Sequence, residues 1–129
     1  MVKRKYFKAT LFGDVDYDPT KDDRVEVNEP EANLVSSVGE REYYNPEDIE
    51  HFSTNHFPVL DLDFPCQLVP SSTPGKFHLY MDKSVTWVAY QNVLTAMASA
   101  GLLELGYVSA SIARRATFVR KPGVLKIVK

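Results

Sequence analysis

The chain has 129 residues, 44% of them hydrophobic and 25% charged, with a formal net charge of −2. Length and apolar content suit a single domain, 1–129, with a core of its own. No apolar run reaches about 18 residues, the basic start MVKRKYFKATLF lacks the apolar core and cleavage site of a secretory signal, and the lone Cys66 excludes an internal disulfide, so no membrane association and a cytoplasmic setting are expected.

Residues 1–12 carry Lys3, Arg4, Lys5 and Lys8 and no acid. Lys5–Tyr17 alternates weakly and predicts a strand that turns at Pro19. Asp14-Val15-Asp16-Tyr17-Asp18 begins like a calcium loop, but Pro19 stands where that loop needs glycine and Val25 where it needs glutamate. From Gly13 to Glu50 the only bases are Lys21, Arg24 and Arg41. Within this stretch, Asp18–Glu42 reads as an acidic loop with short extended pieces, or as a partly disordered segment. Asn45-Pro46-Glu47-Asp48 predicts a short helix over Pro46–Phe52, with Asn45 as cap and acids in the first turn. His51 and His56 lack a third ligand and suit surface or helix-end roles.

Val59–Phe64 predicts a strand, Gln67–Val69 a short edge strand between prolines, and Lys76–Asp82 a third, with Ser71–Gly75 as the turn. Ser84 is the expected cap of a helix over Val85–Ala100. Its stripe Trp87, Tyr90, Leu94 and Met97 recurs at helical spacing and reads as core, and Gly101 suits its end. Leu102–Leu105 should run to a turn at Gly106. Tyr107–Arg115 fits a small helix or a strand. Thr117–Arg120 predicts a strand, and Lys121-Pro122-Gly123 a turn. Beyond Leu105 there is no acid, while Arg114, Arg115, Arg120, Lys121, Lys126 and Lys129 are basic. The expected fold class is α+β: a small antiparallel or mixed sheet with one main helix packed on its apolar face, and a core over 56–120.

Strand alternation would set Leu60, Leu62 and Phe64 on one face and Asp61 and Asp63 on the other. It would likewise set Phe77, Leu79 and Met81 opposite His78, Tyr80 and Asp82. With both apolar faces under the Trp87 helix, Asp61, Asp63 and His78 would share the opposite face. Paired carboxylates repel unless a cation lies between them, and Mg²⁺ or Mn²⁺ accepts such oxygens together with phosphate. His78 and the hydroxyls and N–H groups of Ser72, Thr73 and Lys76 could hold that phosphate. Arg114, Arg115, Arg120 and Lys121 could contact a nucleic-acid backbone, with Tyr107 or Phe118 stacking on bases. No Walker loop, Rossmann fingerprint, zinc-finger spacing or nucleophile elbow is present.

Leu60-Asp61-Leu62-Asp63 followed by Ser72-Thr73-Pro74-Gly75-Lys76-Phe77-His78-Leu79-Tyr80 resembles the core of the archaeo-eukaryotic primase superfamily, especially its small primase-polymerases. The resemblance spans Val59–Asp82. It implies a metal role for Asp61 and Asp63 and a nucleotide-phosphate role for His78. His56–Arg120 also looks like small proteins of actinobacterial phages. Two departures matter: the family separates these motifs by a longer insert, and its third metal-binding acid has no match, since Glu104 is the only acid after the helix. The reading is therefore a reduced or non-catalytic relative that binds nucleotide or nucleic acid with a divalent cation; were it catalytic, the reaction would be metal-dependent nucleotidyl transfer. The alternative is a non-enzymatic protein that binds a host partner through its acidic 13–50 region.

Overall fold

The computed structural model describes residues 1–10 and 23–125. The expected calcium-like stretch and the far end of the first predicted strand lie outside them. The chain divides into two compact units, Met1–Asp61 and Leu62–Lys129. Small antiparallel sheets and two α-helices make the fold class α+β, as the sequence pattern predicts.

The first unit is built on three strands in the order β2-β1-β3: β1 Arg4–Lys8, β2 Val25–Val27 and β3 Leu34–Gly39. β1 is central and antiparallel to both neighbours, with Phe7 opposite Glu26 on one side and Leu34 on the other. Register slips between Arg4 and Tyr6, and the Ser36 hydroxyl donates to the Lys5 carbonyl there at 2.8 Å. Asn33 extends the pairing past β1: its side chain accepts from the Ala9 N–H and donates to the Ala9 carbonyl. Phe7 and Val38 are buried. A bridge from His56 to Val38, and the Phe57 N–H donating to the Ser37 carbonyl, bring the end of the unit back to β3. Gly39 is a close approach: a Cβ there would lie 3.1 Å from the Phe57 ring.

The short extended pieces expected within Asp18–Glu42 are β2 and β3, which pair on either side of β1 despite their acidic flanks. One expectation fails in this unit. The helix expected over Pro46–Phe52 is instead a turn at Asn45–Asp48 and a 3₁₀ helix over Ile49–Ser53. Asp48, not Asn45, caps that helix by accepting the Glu50 N–H. His51 ends it, and His56 sits 2.7 Å from the Ser37 hydroxyl.

The second unit opens with a hairpin of β4 Cys66–Pro70 and β5 Phe77–Met81, in register from Cys66↔Met81 to Pro70↔Phe77. Thr73-Pro74-Gly75-Lys76 is a turn closed by the Lys76 N–H on the Thr73 carbonyl, with Gly75 at φ 80°. Two helices follow, α1 Trp87–Ser99 and α2 Leu105–Arg114, which pack against each other. The predicted α1 stripe is the less exposed side: Leu94 is buried, and Trp87, Tyr90 and Met97 are half-buried. Gly101 (φ 77°) closes α1, with N–H groups of Gly101 and Leu102 returning to the carbonyls of Ala98 and Met97. Beyond α2 the chain continues as a strap without helix or strand over the described residues. The Tyr90 and Thr117 hydroxyls share a hydrogen bond at 2.8 Å, tying the strap to α1.

Three corrections follow for this unit. Val59–Phe64 forms no strand; Pro58 and Pro65 flank it and, among the described residues, no strand pairs with it. Thr117–Arg120 forms no strand either and is likewise unpaired among the described residues. Phe77, Leu79 and Met81, expected beneath the main helix, are exposed, whereas His78 on the opposite face is half-buried.

Candidate anion-binding cleft

The hairpin and the strap border a small open cleft lined among others by Ser71, Ser72, His78, Arg120 and Lys121. Two Pro-Gly turns shape it. Thr73-Pro74-Gly75-Lys76 holds the Ser71-Ser72 end of the hairpin loop, and the Thr73 N–H donates to the Ser71 hydroxyl. Lys121-Pro122-Gly123-Val124 is the second turn, with the Val124 N–H on the Lys121 carbonyl and Gly123 at φ 85°. A side chain at either glycine would strain a backbone that L-residues seldom adopt.

Arg120 spans the cleft. Its Nη2 donates to the Ser72 hydroxyl at 3.3 Å. Its Nε is buried and has no hydrogen-bond partner. A buried N–H without an acceptor is costly, and an anion oxygen is the partner that a guanidinium fork best accommodates. His78 comes from the less exposed face of β5, opposite Val69 in the hairpin. Two serines, a histidine, an arginine and a lysine thus border one small space.

The structure joins residues that the sequence places in two separate groups. Ser72 and His78, read as phosphate contacts, line the cleft together with Arg120 and Lys121, read as nucleic-acid contacts. Thr73 and Lys76 build the loop but do not line the cleft. Arg114 lies 5.6 Å from the Phe118 ring, and Arg115 caps α2 in the left-handed region at φ 60°. The Pro122–Val124 wall escaped the sequence reading, although Lys121-Pro122-Gly123 was legible as a turn.

The proposed metal residues fare differently. Asp61 ends the first unit and Asp63 belongs to the second, so the alternation that paired them with His78 has no strand to act on. Among the described residues, no three His, Cys, Asp or Glu side chains are grouped to hold a metal ion. Among them, too, no helix is long and apolar enough to cross a membrane. Comparison of the chain with family models, curated proteins and solved structures finds no match.

Proposed function

We propose that the second unit binds a phosphate group of a nucleotide or nucleic acid in the cleft. The observation that carries this reading is Arg120, whose buried Nε lacks an acceptor beside Ser72, His78 and Lys121. Charge supports it. Leu62–Lys129 holds Lys76, Lys83, Arg114, Arg115, Arg120, Lys121, Lys126 and Lys129 against Asp63, Asp82 and Glu104, which is 8 − 3 = +5. The whole chain is −2, so Met1–Asp61 carries −2 − 5 = −7. A basic unit attracts polyanions through long-range fields.

The reading includes a divalent cation at Asp61 and Asp63. Two carboxylates alone suit an ion that completes its shell with phosphate oxygens and water, as Mg²⁺ commonly does. No step of a reaction is assigned. The kinship to primase-polymerases, and the likeness of His56–Arg120 to small proteins of actinobacterial phages, stand as part of the proposal.

Fluorescence anisotropy with a labelled single-stranded oligonucleotide tests it, with and without Mg²⁺ or Mn²⁺. Arg120→Ala should weaken binding by roughly tenfold, since a charge-assisted hydrogen bond contributes about 1.5–3 kcal/mol. Asp61→Ala with Asp63→Ala should remove the cation dependence alone. Equal affinity for wild type and Arg120→Ala rejects the cleft, and cation dependence surviving in the double variant rejects the metal.

A second reading has its own support. The acidic first unit exposes Ile49 and Phe52, at 78% and 79%, beside Glu47, Asp48 and Glu50. This combination suits a basic, apolar segment of a host protein. Ile49→Ser with Phe52→Ser should abolish capture of such a partner and leave oligonucleotide binding intact.

A further inference from the structure

The hairpin face opposite His78 is built from Cys66, Leu68, Pro70, Phe77, Leu79 and Met81, because paired residues share a side of a sheet. None is charged. Leu68, Phe77, Leu79 and Met81 are 62%, 56%, 49% and 48% exposed. The backbone beneath them is also open. The Ser71 N–H donates to Lys76, and the Asp82 N–H to Pro65, which fixes these as the hydrogen-bonded pairs. Counting inward by twos, Gln67/Tyr80 and Val69/His78 also point their polar groups into the hairpin. The alternate residues Phe77, Leu79 and Met81 therefore aim N–H and C=O outward from β5. Among the described residues, no strand pairs with that edge.

The two edges differ. β4 ends in Pro70 and follows Pro65, and proline removes a donor and discourages further pairing. β5, Phe-His-Leu-Tyr-Met, has neither proline nor lysine to guard it. A two-stranded hairpin wet on its apolar face is marginal by itself, which favours a third strand.

We infer that β5 pairs with β5 of a second copy, antiparallel, about a two-fold axis at Leu79. The strand is its own complement in this register. The outward donors of Phe77, Leu79 and Met81 meet the outward carbonyls of Met81, Leu79 and Phe77 in the other copy. Phe77 lies opposite Met81, an aromatic–thioether contact, and Leu79 lies opposite Leu79. His78 faces Tyr80 on the other side, so no like charges are opposed. The product is a four-stranded sheet whose free edges are both β4, and its prolines stop growth at two copies. An acidic or basic strand would find no counter-charge on β5, which favours a second copy over a charged partner. The pairing does not depend on what the cleft binds.

Sedimentation of the full chain at micromolar concentrations tests it. Wild type should sediment with twice the chain mass. Leu79→Lys sets two ammonium groups across the axis and should give a monomer with an unchanged far-UV spectrum. Leu68→Lys, on the same face but on β4, should remain a dimer. Should Leu79→Lys damage folding, Leu79→Cys in a Cys66→Ser background gives an independent reading. Its thiols would stand on Cα atoms about 5.5 Å apart, so mild oxidation should link two chains, whereas Leu68→Cys should not. A monomeric wild type overturns the inference, whether or not it captures an extended peptide of another protein. So does a dimeric Leu79→Lys, or a Leu68→Lys variant that dissociates equally.

Discussion

Ser111 shows how one side chain can work against its element. It is fully buried on α2, and its hydroxyl has no hydrogen-bond partner. A buried hydroxyl left unpaired costs roughly 1–3 kcal/mol on the mutational scale. Ser111→Ala removes that cost and keeps nearly the same volume, so it should raise the urea midpoint by an amount equivalent to about 1 kcal/mol. Asp48 works the other way. The Glu50 N–H and the Tyr43 hydroxyl both donate to its carboxylate, and in that order of importance they hold its pKa below the ordinary value. A carboxylate with a depressed folded pKa stabilises the fold above its unfolded pKa, near 4, and that contribution disappears as pH falls through the folded value. Hydrogen bonds from Thr10 lower Asp23 in the same sense. Stability should therefore decline as pH drops below about 4. Asp48→Asn should be less stable than wild type at neutral pH, and the gap should close in acid, as read from denaturation midpoints at each pH. A gap independent of pH would remove Asp48 from this role.

Among the elements, α1 was largely legible because its stripe and its closing Gly101 are local signals. Its start was misplaced by two residues. Ser84 and Thr86 both carry hydroxyls, but it is Thr86 that accepts the Ala89 N–H. Thr86→Ala should cost about 1 kcal/mol, while Ser84→Ala should leave the thermal midpoint nearly unchanged; reversed effects would return the cap to Ser84. The hairpin was legible from Pro74-Gly75 for the same reason, since a turn type is written in two residues. α2 was ambiguous because Tyr107, Val108 and Ile112 suit strands as well as helices. Burial of Val108 and Ser111, with Tyr107 and Ile112 half-buried, displays the helical period only once the element packs. β3 and the connector Val59–Phe64 form a contrasting pair. Leu34–Gly39 sits among acids yet finds β1 at long range. Val59–Phe64 alternates well yet finds no neighbour. Alternation reports the shape of a segment, whereas a strand is completed by a partner that may lie far along the chain.

The whole molecule carries charges of −7 and +5 on its two units, and the site was half-legible for a related reason. The polar and basic residue types of the candidate cleft were recognisable, but the convergence of Ser72 and His78 with Arg120 and Lys121 depends on a strap folding back across many residues. Local spacing cannot report that return. The charge separation also sets how the proposed oligonucleotide binding should respond to salt. Each phosphate neutralised on a single strand releases counterions, so the slope of log K against log salt is about −0.7 per contact. Replacing Arg120 and Lys121 together by Ala removes two candidate contacts and should make the slope shallower by about 1.4. Lys5→Ala provides the control: Lys5 lies in the acidic unit, already paired with Glu26 at 2.8 Å, and should leave the slope as it is. Titrations over a range of salt concentrations decide between these outcomes. If Lys5→Ala and the double variant change the slope alike, attraction is spread over the chain and the cleft is not where phosphate sits. If only the double variant does, Arg120 and Lys121 hold backbone phosphates within a molecule whose other unit repels them.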